Sequence, residues 1–321
     1  EWVTVELFKK FTETIFLKEN SNLENQILDL QKLLEKNPQG EKAKKDLKLL
    51  EYGLQGEKDI IFELKHANIG MYVLHDINIK YEDMTAQIDY VIVTKGYIYL
   101  VECKNLYGNI TVNSEGQFQR EYELNGKKYK EAIYSPYTQA MRHIDVLKKI
   151  WLATNSKFKT FFLSNNFDRW YQPLVVLAND KSILNIKYAP QKLKEKIIRV
   201  DELVNHIKKD ISKMDSSYYT SQKRMLEMAS GFLKLNETFE NENKEIEVNK
   251  EEIEEKLKSF RKEKAKTMNV PAYYIFTDEE MRKIIELMPS TPDELANAKI
   301  LPNVKMNLHG SEIIEIINNR K

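Results

Sequence analysis

The chain has 321 residues, 42% hydrophobic and 31% charged, which suits two globular domains, or one large domain with an appendage, with a polar bias. A formal charge of +1 excludes a global field that would draw the protein onto nucleic acid, so any basic surface must be local. The single cysteine, Cys103, excludes an internal disulfide framework and points to a reducing, cytoplasmic setting; no apolar run approaches the roughly 20 residues of a membrane helix, and no signal peptide is visible.

Residues 1–52 read as a helical hairpin. Leu23, Ile27, Leu30, Leu33 and Leu34 recur at helical spacing, and Asn37-Pro38-Gln39-Gly40 breaks the pattern. Such an appendage serves packing or self-association, so a homo-oligomer through these helices is expected. Residues 53–210 read as a mixed α/β domain. A helix from Gly56 to about Ala67 precedes strands near Tyr72–Ile79, Ile88–Thr94 and Tyr97–Lys104 and a further strand or bulged pair around Ile110–Tyr122. An amphipathic helix from Tyr134 to Leu152 follows, with Ser135-Pro136 as its start signal, then a short buried strand at Leu174–Ala178 and helix from residue 192 to about 235. Residues 211–255 read as helix and acidic linker, since Asn236–Glu255 holds nine glutamates against two lysines. Residues 256–321 read as a small all-helical domain, with a helix opened by Asp278-Glu279-Glu280, a short one over Asp293–Ala298 and a last one over Ser311–Asn318.

One stretch carries chemistry. In "QIDYVIVTKGYIYLVECKN" (Gln87 to Asn105) two apolar runs flank Lys95-Gly96. If those two residues make a tight turn, Thr94 pairs with Tyr97 and Asp89 faces Glu102. Directly opposed carboxylates about 5 Å apart repel by on the order of 3 kcal/mol at an effective dielectric near 20. Alternation along the strand puts Lys104 on the same face and turns Cys103 away, as a small buried hydrophobe. Val91, Ile92, Val93, Ile98, Leu100 and Val101 make both faces apolar, so these strands are expected to be central rather than a solvated edge. A hard cation bridging the two carboxylates relieves the repulsion, because magnesium is commonly held by one or two carboxylates plus water and phosphate oxygens.

Asp89 followed by Glu102-Cys103-Lys104 resembles the D…(D/E)xK motif of PD-(D/E)XK nucleases. With "GEKDIIFEL" (Gly56 to Leu64), "GYIYLVECKNLYGNI" (Gly96 to Ile110) and "SPYTQAMRHIDVLKK" (Ser135 to Lys149), in that order, residues from about Tyr52 to Lys208 resemble the nuclease-related domain, NERD. The resemblance implies a restriction-endonuclease-like α/β core, a mixed central sheet flanked by helices. It implies that Asp89 and Glu102 hold Mg2+ or Mn2+, with Glu57 and the backbone carbonyl of Cys103 completing the site, that Lys104 is catalytic, and that Gln139 is the polar residue of the later helix. A glutamate early in a helix also suits the macrodipole, and Gln139 and His143, four residues apart, also read as an exposed helix face.

The segment "LKSFRKEKAKTMNVPAYYIFTDEEMRKIIELMPSTPDELANAKI", followed by "HGSEIIEII", resembles the HRDC domain of RecQ-type helicases and ribonuclease D over about Ile253 to Asn318. Lys299 to Met306 departs from the glycine-rich helical turn frequent in that family. Arg261, Lys262, Lys264 and Lys266 form a basic run able to track phosphates; adjacent glutamates equally suit a solvated face. The leading expectation is a metal-dependent deoxyribonuclease that acts on DNA, with the HRDC-like module recruiting nucleic acid or a partner such as a helicase, in DNA repair or in defence against foreign DNA. The alternative is a non-catalytic or partner-activated nucleic-acid-binding adaptor. No GxxxxGK[ST] loop, zinc spacing or G-x-S-x-G elbow is present.

Overall fold

A computed structural model describes residues 11–154 and 167–318. The chain divides into two compact units, residues 1–239 and 240–321.

The first unit is built on a six-stranded mixed sheet in the order β1-β2-β3-β4-β8-β10. Its centre is the hairpin of β3 (Met84–Thr94) and β4 (Ile98–Lys104), flanked by β2 (Met71–Tyr81) and β8 (Tyr171–Leu177), with β1 (Thr14–Lys18) and β10 (Ile197–Arg199) at the edges. The expected register is present: Tyr90 pairs with Val101 and Val93 with Ile98, and the Thr94 N–H donates to the Tyr97 carbonyl. Thr94 closes the turn with its hydroxyl, which accepts from the N–H groups of Gly96 and Tyr97 at 3.2 and 2.9 Å.

Alternation sends Val91, Val93, Ile98 and Leu100 to one face of the sheet and Tyr90, Ile92, Tyr99 and Val101 to the other. The first face is covered by α3 (Pro136–Thr154), through Ile144, Leu147 and Ile150, and by Met225, Ala229 and Phe232. The second is covered by α2 (Glu41–Lys65), through Ile60 and Leu64, and by Leu203, Ile207 and Ile211. A sheet buried on both faces takes continuous apolar runs, which is how β3 and β4 read.

Several boundaries differ from the sequence reading. Residues 1–10 lie outside the described residues, but Thr14–Lys18 is strand, paired in parallel with β2, where helix is expected. The helical pair is α1 (Leu23–Lys36) and α2, and α2 runs unbroken from Glu41 to Lys65 through Gly53 and Gly56 instead of starting near Gly56. The expected strand or bulged pair near Ile110 is a second sheet, β7-β6-β5-β9, of β5 (Asn109–Val112), β6 (Phe118–Leu124), β7 (Lys127–Ile133) and β9 (Leu184–Asn185). The stretch expected as helix from residue 192 holds a short helix α4 (Gln191–Lys194), then β10, then α5 (Leu203–Lys213). The acidic segment is helical, within α6 (Gln222–Met268); at its end Lys258 pairs with Glu254 and Glu255 one turn back, the i, i+4 and i, i+3 contacts that support an exposed helix.

The second unit is all α-helical. Ile253, Leu257, Phe276, Ile284, Leu295, Ile313 and Ile317 form its core, and α7 (Asp278–Leu287), α8 (Pro292–Asn297) and α9 (Asn303–Asn318) follow the end of α6. Helix α9 starts eight residues before the expected Ser311. A capping box opens α7: Thr277 Oγ1 accepts from the Glu280 N–H at 3.1 Å, and Glu280 Oε2 accepts from the Thr277 N–H at 2.6 Å.

Candidate active site

At the end of the hairpin remote from its turn, the sheet opens into a pocket of about 370 Å³ whose lining includes Glu57, Asp89, Glu102, Lys104, Gln139 and His143. β3 and β4 supply Asp89, Glu102 and Lys104, whose strand parity places them on the α3 side, and α3 brings Gln139 and His143 over them.

Glu102 is buried, 1% exposed, and its Oε1 pairs with Lys104 Nζ at 2.5 Å. Its other oxygen, Oε2, is buried with no hydrogen-bond partner; His143 Nδ1 stands 3.8 Å away. Asp89 Oδ2 accepts from the Cys103 N–H at 2.7 Å. Burial raises the Asp89 carboxyl well above its ordinary value, the Glu102 charge pushes it further, and the Cys103 N–H and Lys104 only partly offset this. Burial also raises Glu102, against the attraction and hydrogen bond of Lys104. Burial pulls the Lys104 ammonium down, but Glu102 and Asp89 outweigh it and hold the group more firmly protonated. His143, expected on an exposed face, is buried, and burial with the nearby Lys104 charge lowers it to about 4, so it is neutral at neutral pH.

Glu57 reaches the pocket from α2, on the other face. Ser21 Oγ donates to its Oε2 at 2.9 Å, His75 Nε2 lies 3.0 Å from the same oxygen but off the direction of a hydrogen bond, and Tyr90 OH donates to its main-chain carbonyl at 2.9 Å. His75 is stacked flat on Tyr90, 4.4 Å between ring centroids, and its Nδ1 donates to the Glu19 carbonyl at 2.6 Å. Gly56 lets α2 sit this deep: a Cβ there would lie 2.8 Å from Asn105 Cβ and 3.0 Å from Ala178 Cβ. Cys103 packs into the α2-side core, and its N–H is the group that orients Asp89.

The donor set fits a magnesium-like ion through Asp89 and Glu102. One or two carboxylates suffice for such an ion, both carboxyls are raised by burial that Lys104 only partly offsets, and Glu102 Oε2 is a buried oxygen without a partner. Among the described residues no group of three or more His, Cys, Asp or Glu side chains is placed to hold a metal, and Glu57 is turned towards Ser21 and His75. Sequence reasoning missed Ser21 and His75, whose positions depend on the parallel pairing of β1 with β2. It singled out His143 only as an exposed neighbour of Gln139, although His143 follows the i, i+4 spacing that puts both on one face.

The basic run of the second unit divides. Arg261 is bound to Asp278 at 2.7 Å and to the Phe276 carbonyl at 3.2 Å, and Lys264 pairs with Glu312 at 2.6 Å, whereas Lys262 and Lys266 are exposed.

A mixed sheet covered by helices, with paired carboxylates and a lysine at the ends of two central strands, defines a nuclease-like α/β domain. The chain matches the family model of the nuclease-related domain, NERD, over residues 52–178 and that of the HRDC domain over residues 250–317, and it therefore joins a nuclease-related domain to an HRDC domain. A 70-residue stretch is 36% identical to part of the ATP-dependent DNA helicase UvrD2 of Mycobacterium bovis and of Mycobacterium tuberculosis. That stretch is 22% of this chain and spans about a tenth of the length of those helicases, 10%. No solved structure matches the chain. Among the described residues no helix is long and apolar enough to cross a membrane.

Proposed function

We propose that this protein is a metal-dependent deoxyribonuclease that hydrolyses phosphodiester bonds of DNA in the cytoplasm, with Mg2+ or Mn2+ held by Asp89 and Glu102 and the Cys103 carbonyl and Glu57 beside them. The observation that carries the reading is the buried, unpartnered Glu102 Oε2 next to a second raised carboxyl and a lysine, in a pocket of a nuclease-related domain. A bound divalent ion supplies Lewis acidity and lowers the pKa of water.

The residues of the chain do the rest. Lys104, 30% exposed and fixed by Glu102, presents an ammonium at the pocket where a phosphate would enter, to offset the charge that develops on the phosphoryl oxygens or to orient the attacking water. Neutral His143 and Gln139 offer hydrogen bonds from α3 to substrate or water. Ser21 donates to the Glu57 carboxylate and His75 lies beside it, which fixes where Glu57 stands at the edge of the pocket. The HRDC domain recruits nucleic acid or a DNA-processing partner, a helicase being the partner class that the UvrD2 similarity suggests. Self-association through α1 and α2 is part of the same reading.

The test is incubation of the purified chain with linear, circular and single-stranded DNA in magnesium, manganese or EDTA. Cleavage that needs the ion and disappears in Lys104→Ala is expected. Equal cleavage by wild type and Lys104→Ala would remove the assignment, and binding without cleavage under all these conditions would leave the adaptor.

A further inference from the structure

The second sheet projects a two-stranded ribbon, β6 and β7, joined by Asn125-Gly126, both with positive φ as a tight hairpin turn requires. Alternation puts Phe118, Arg120, Tyr122 and Leu124 of β6 on one face with Ile133, Glu131, Tyr129 and Lys127 opposite them on β7. At its base this face is core, where Phe118 and Ile133 pack with Ile110 and Val112. Further out the same face continues without a cover among the described residues. Tyr122 and Tyr129 stack across the strands at 5.2 Å between centroids and 15° between planes, and Tyr107 stands edge-on to Tyr122 at 6.4 Å. Tyr107 is 55% exposed, Tyr129 42% and Leu124 54%.

We infer that this tyrosine face is a stacking platform for single-stranded nucleic acid, which it feeds to the Asp89–Glu102 pocket; the inference rests on the proposed function and names its substrate form. Three observations select that occupant. The face is aromatic rather than aliphatic, and unpaired bases stack on exposed aromatic rings whatever their sequence. Its charges leave a small positive excess for a polyanion: Glu131 is paired with Arg120, whose guanidinium also lies 4.6 Å over the Tyr122 ring, Glu121 is paired with Lys130, Glu123 faces Lys128 across the strands, and Lys127 at the tip is exposed. Finally, along the chain the ribbon lies between two elements that line the pocket. It follows Lys104 and Asn105 by way of Tyr107 and leads through Tyr134 into the helix that carries Gln139 and His143, and Tyr134 itself is exposed with Arg142 over its ring at 5.3 Å.

The experiment measures binding of a fluorescein-labelled oligothymidine of about 16 nucleotides and of a duplex of equal length, in EDTA so that nothing is cut. Tyr107→Ala with Tyr129→Ala is expected to weaken binding of the single strand by about tenfold and of the duplex far less, because one or two stacked bases are lost. Tyr129→Phe keeps the ring and should bind as wild type. Tyr129→Trp should show emission quenched by the oligothymidine beyond any change in wild type, which reads stacking at that position even where other surfaces add affinity. Unchanged binding by the double alanine variant, together with no added quenching in Tyr129→Trp, overturns the platform, as does a Tyr129→Phe variant as weak as the alanine one. A double variant that instead turns a dimer into a monomer in sedimentation, with nucleic-acid affinity kept, makes the face a self-interface and also overturns it. Wild-type cleavage of the single strand in magnesium is read separately: cleavage with no stacking sinks the platform alone, and no cleavage with stacking intact sinks the nuclease alone.

Discussion

Each unit of this protein holds a glutamate beside a lysine, and the two pairs behave in opposite ways. In the HRDC unit Lys305 Nζ is 2.8 Å from Glu280 Oε2, and burial of that carboxyl is outweighed by the Lys305 and Thr277 hydrogen bonds, so its pKa is lowered. In the nuclease-related unit the Glu102–Lys104 pair is as close, yet the Glu102 pKa is raised. The difference lies in what else each carboxylate meets. Glu280 caps a helix with the same oxygen that faces its lysine; Glu102 keeps one oxygen with no donor in a buried pocket and shares that pocket with Asp89. A satisfied pair stabilises a fold, and a pair left short of positive charge stores a demand for it.

The comparison breaks most visibly in activity. Lys104→Ala is expected to reduce the single-turnover cleavage rate by about 10²-fold or more while DNA binding in EDTA persists, since its ammonium acts on charge that develops in the transition state; Lys305→Ala should leave that rate alone. Rapid-quench kinetics with both variants checks this.

The same substitution should have opposite signs in stability. In EDTA at neutral pH, Glu102→Gln is expected to equal or exceed wild type, by up to about 2 kcal/mol, because the repulsion with Asp89 is removed. Glu280→Gln should cost about 1 kcal/mol through the weakened capping box. Magnesium should raise the melting temperature of wild type and of Glu280→Gln, and that of Glu102→Gln much less, by mass action on a site that only the folded state offers. Urea and thermal unfolding report all three, and an equal magnesium shift in every protein would place the ion elsewhere.

The pH dependence sharpens the contrast. Asp89 and Glu102 are raised, so the folded state holds protons that the unfolded chain has lost above its ordinary carboxylate range, and their contribution declines as pH rises through the raised values. The stability gain of Glu102→Gln should therefore grow as pH is raised from about 4 to 7. His143, lowered to about 4, works the other way: the unfolded chain takes up its proton first, so stability falls as pH drops from about 6.5 towards 4, and His143→Gln should flatten that limb. Glu280, lowered, adds stability that is lost only at acid pH.

The smallest effect is expected from separating the units. A chain ending at Phe239 retains Asn236, whose side chain accepts from the Asn78 N–H at 2.8 Å, and should cut at an unchanged rate under saturating DNA while needing more DNA to reach it. Residues 240–321, with their own core, should unfold cooperatively by circular dichroism.

What could be read from the sequence followed from locality. The register that sets Val93 opposite Ile98 and Tyr90 opposite Val101, and so brings Asp89 and Glu102 to one pocket, is legible because Lys95-Gly96 fixes it from within the hairpin, and α3 because its apolar residues recur at helical spacing. Thr14–Lys18 is not, because a five-residue strand has no period of its own and its partner lies 57 positions away, Thr14 facing Met71. The same pairing brings Glu19 and Ser21 to His75 and Glu57, so those contacts stayed out of sight with it. The β6–β7 ribbon goes unread too, although Asn125-Gly126 is a strong hairpin signal, because β7 is "KKYKEAI", with no apolar alternation, and is exposed nearly throughout.

Gly56 separates two things that are usually entangled in an active site, what a residue is and where it stands. With strand-end Cβ atoms 2.8 and 3.0 Å from where its own would lie, helix and sheet touch there with no slack, one residue before Glu57. A methyl group at this point acts as a shim. Gly56→Ala would lift the glutamate without altering any charge in the pocket, so the distance of Glu57 from the two strand carboxylates becomes an experimental variable set from its neighbour. A homologous helix with a larger residue there would have to ride higher and hold its glutamate farther from Asp89 and Glu102.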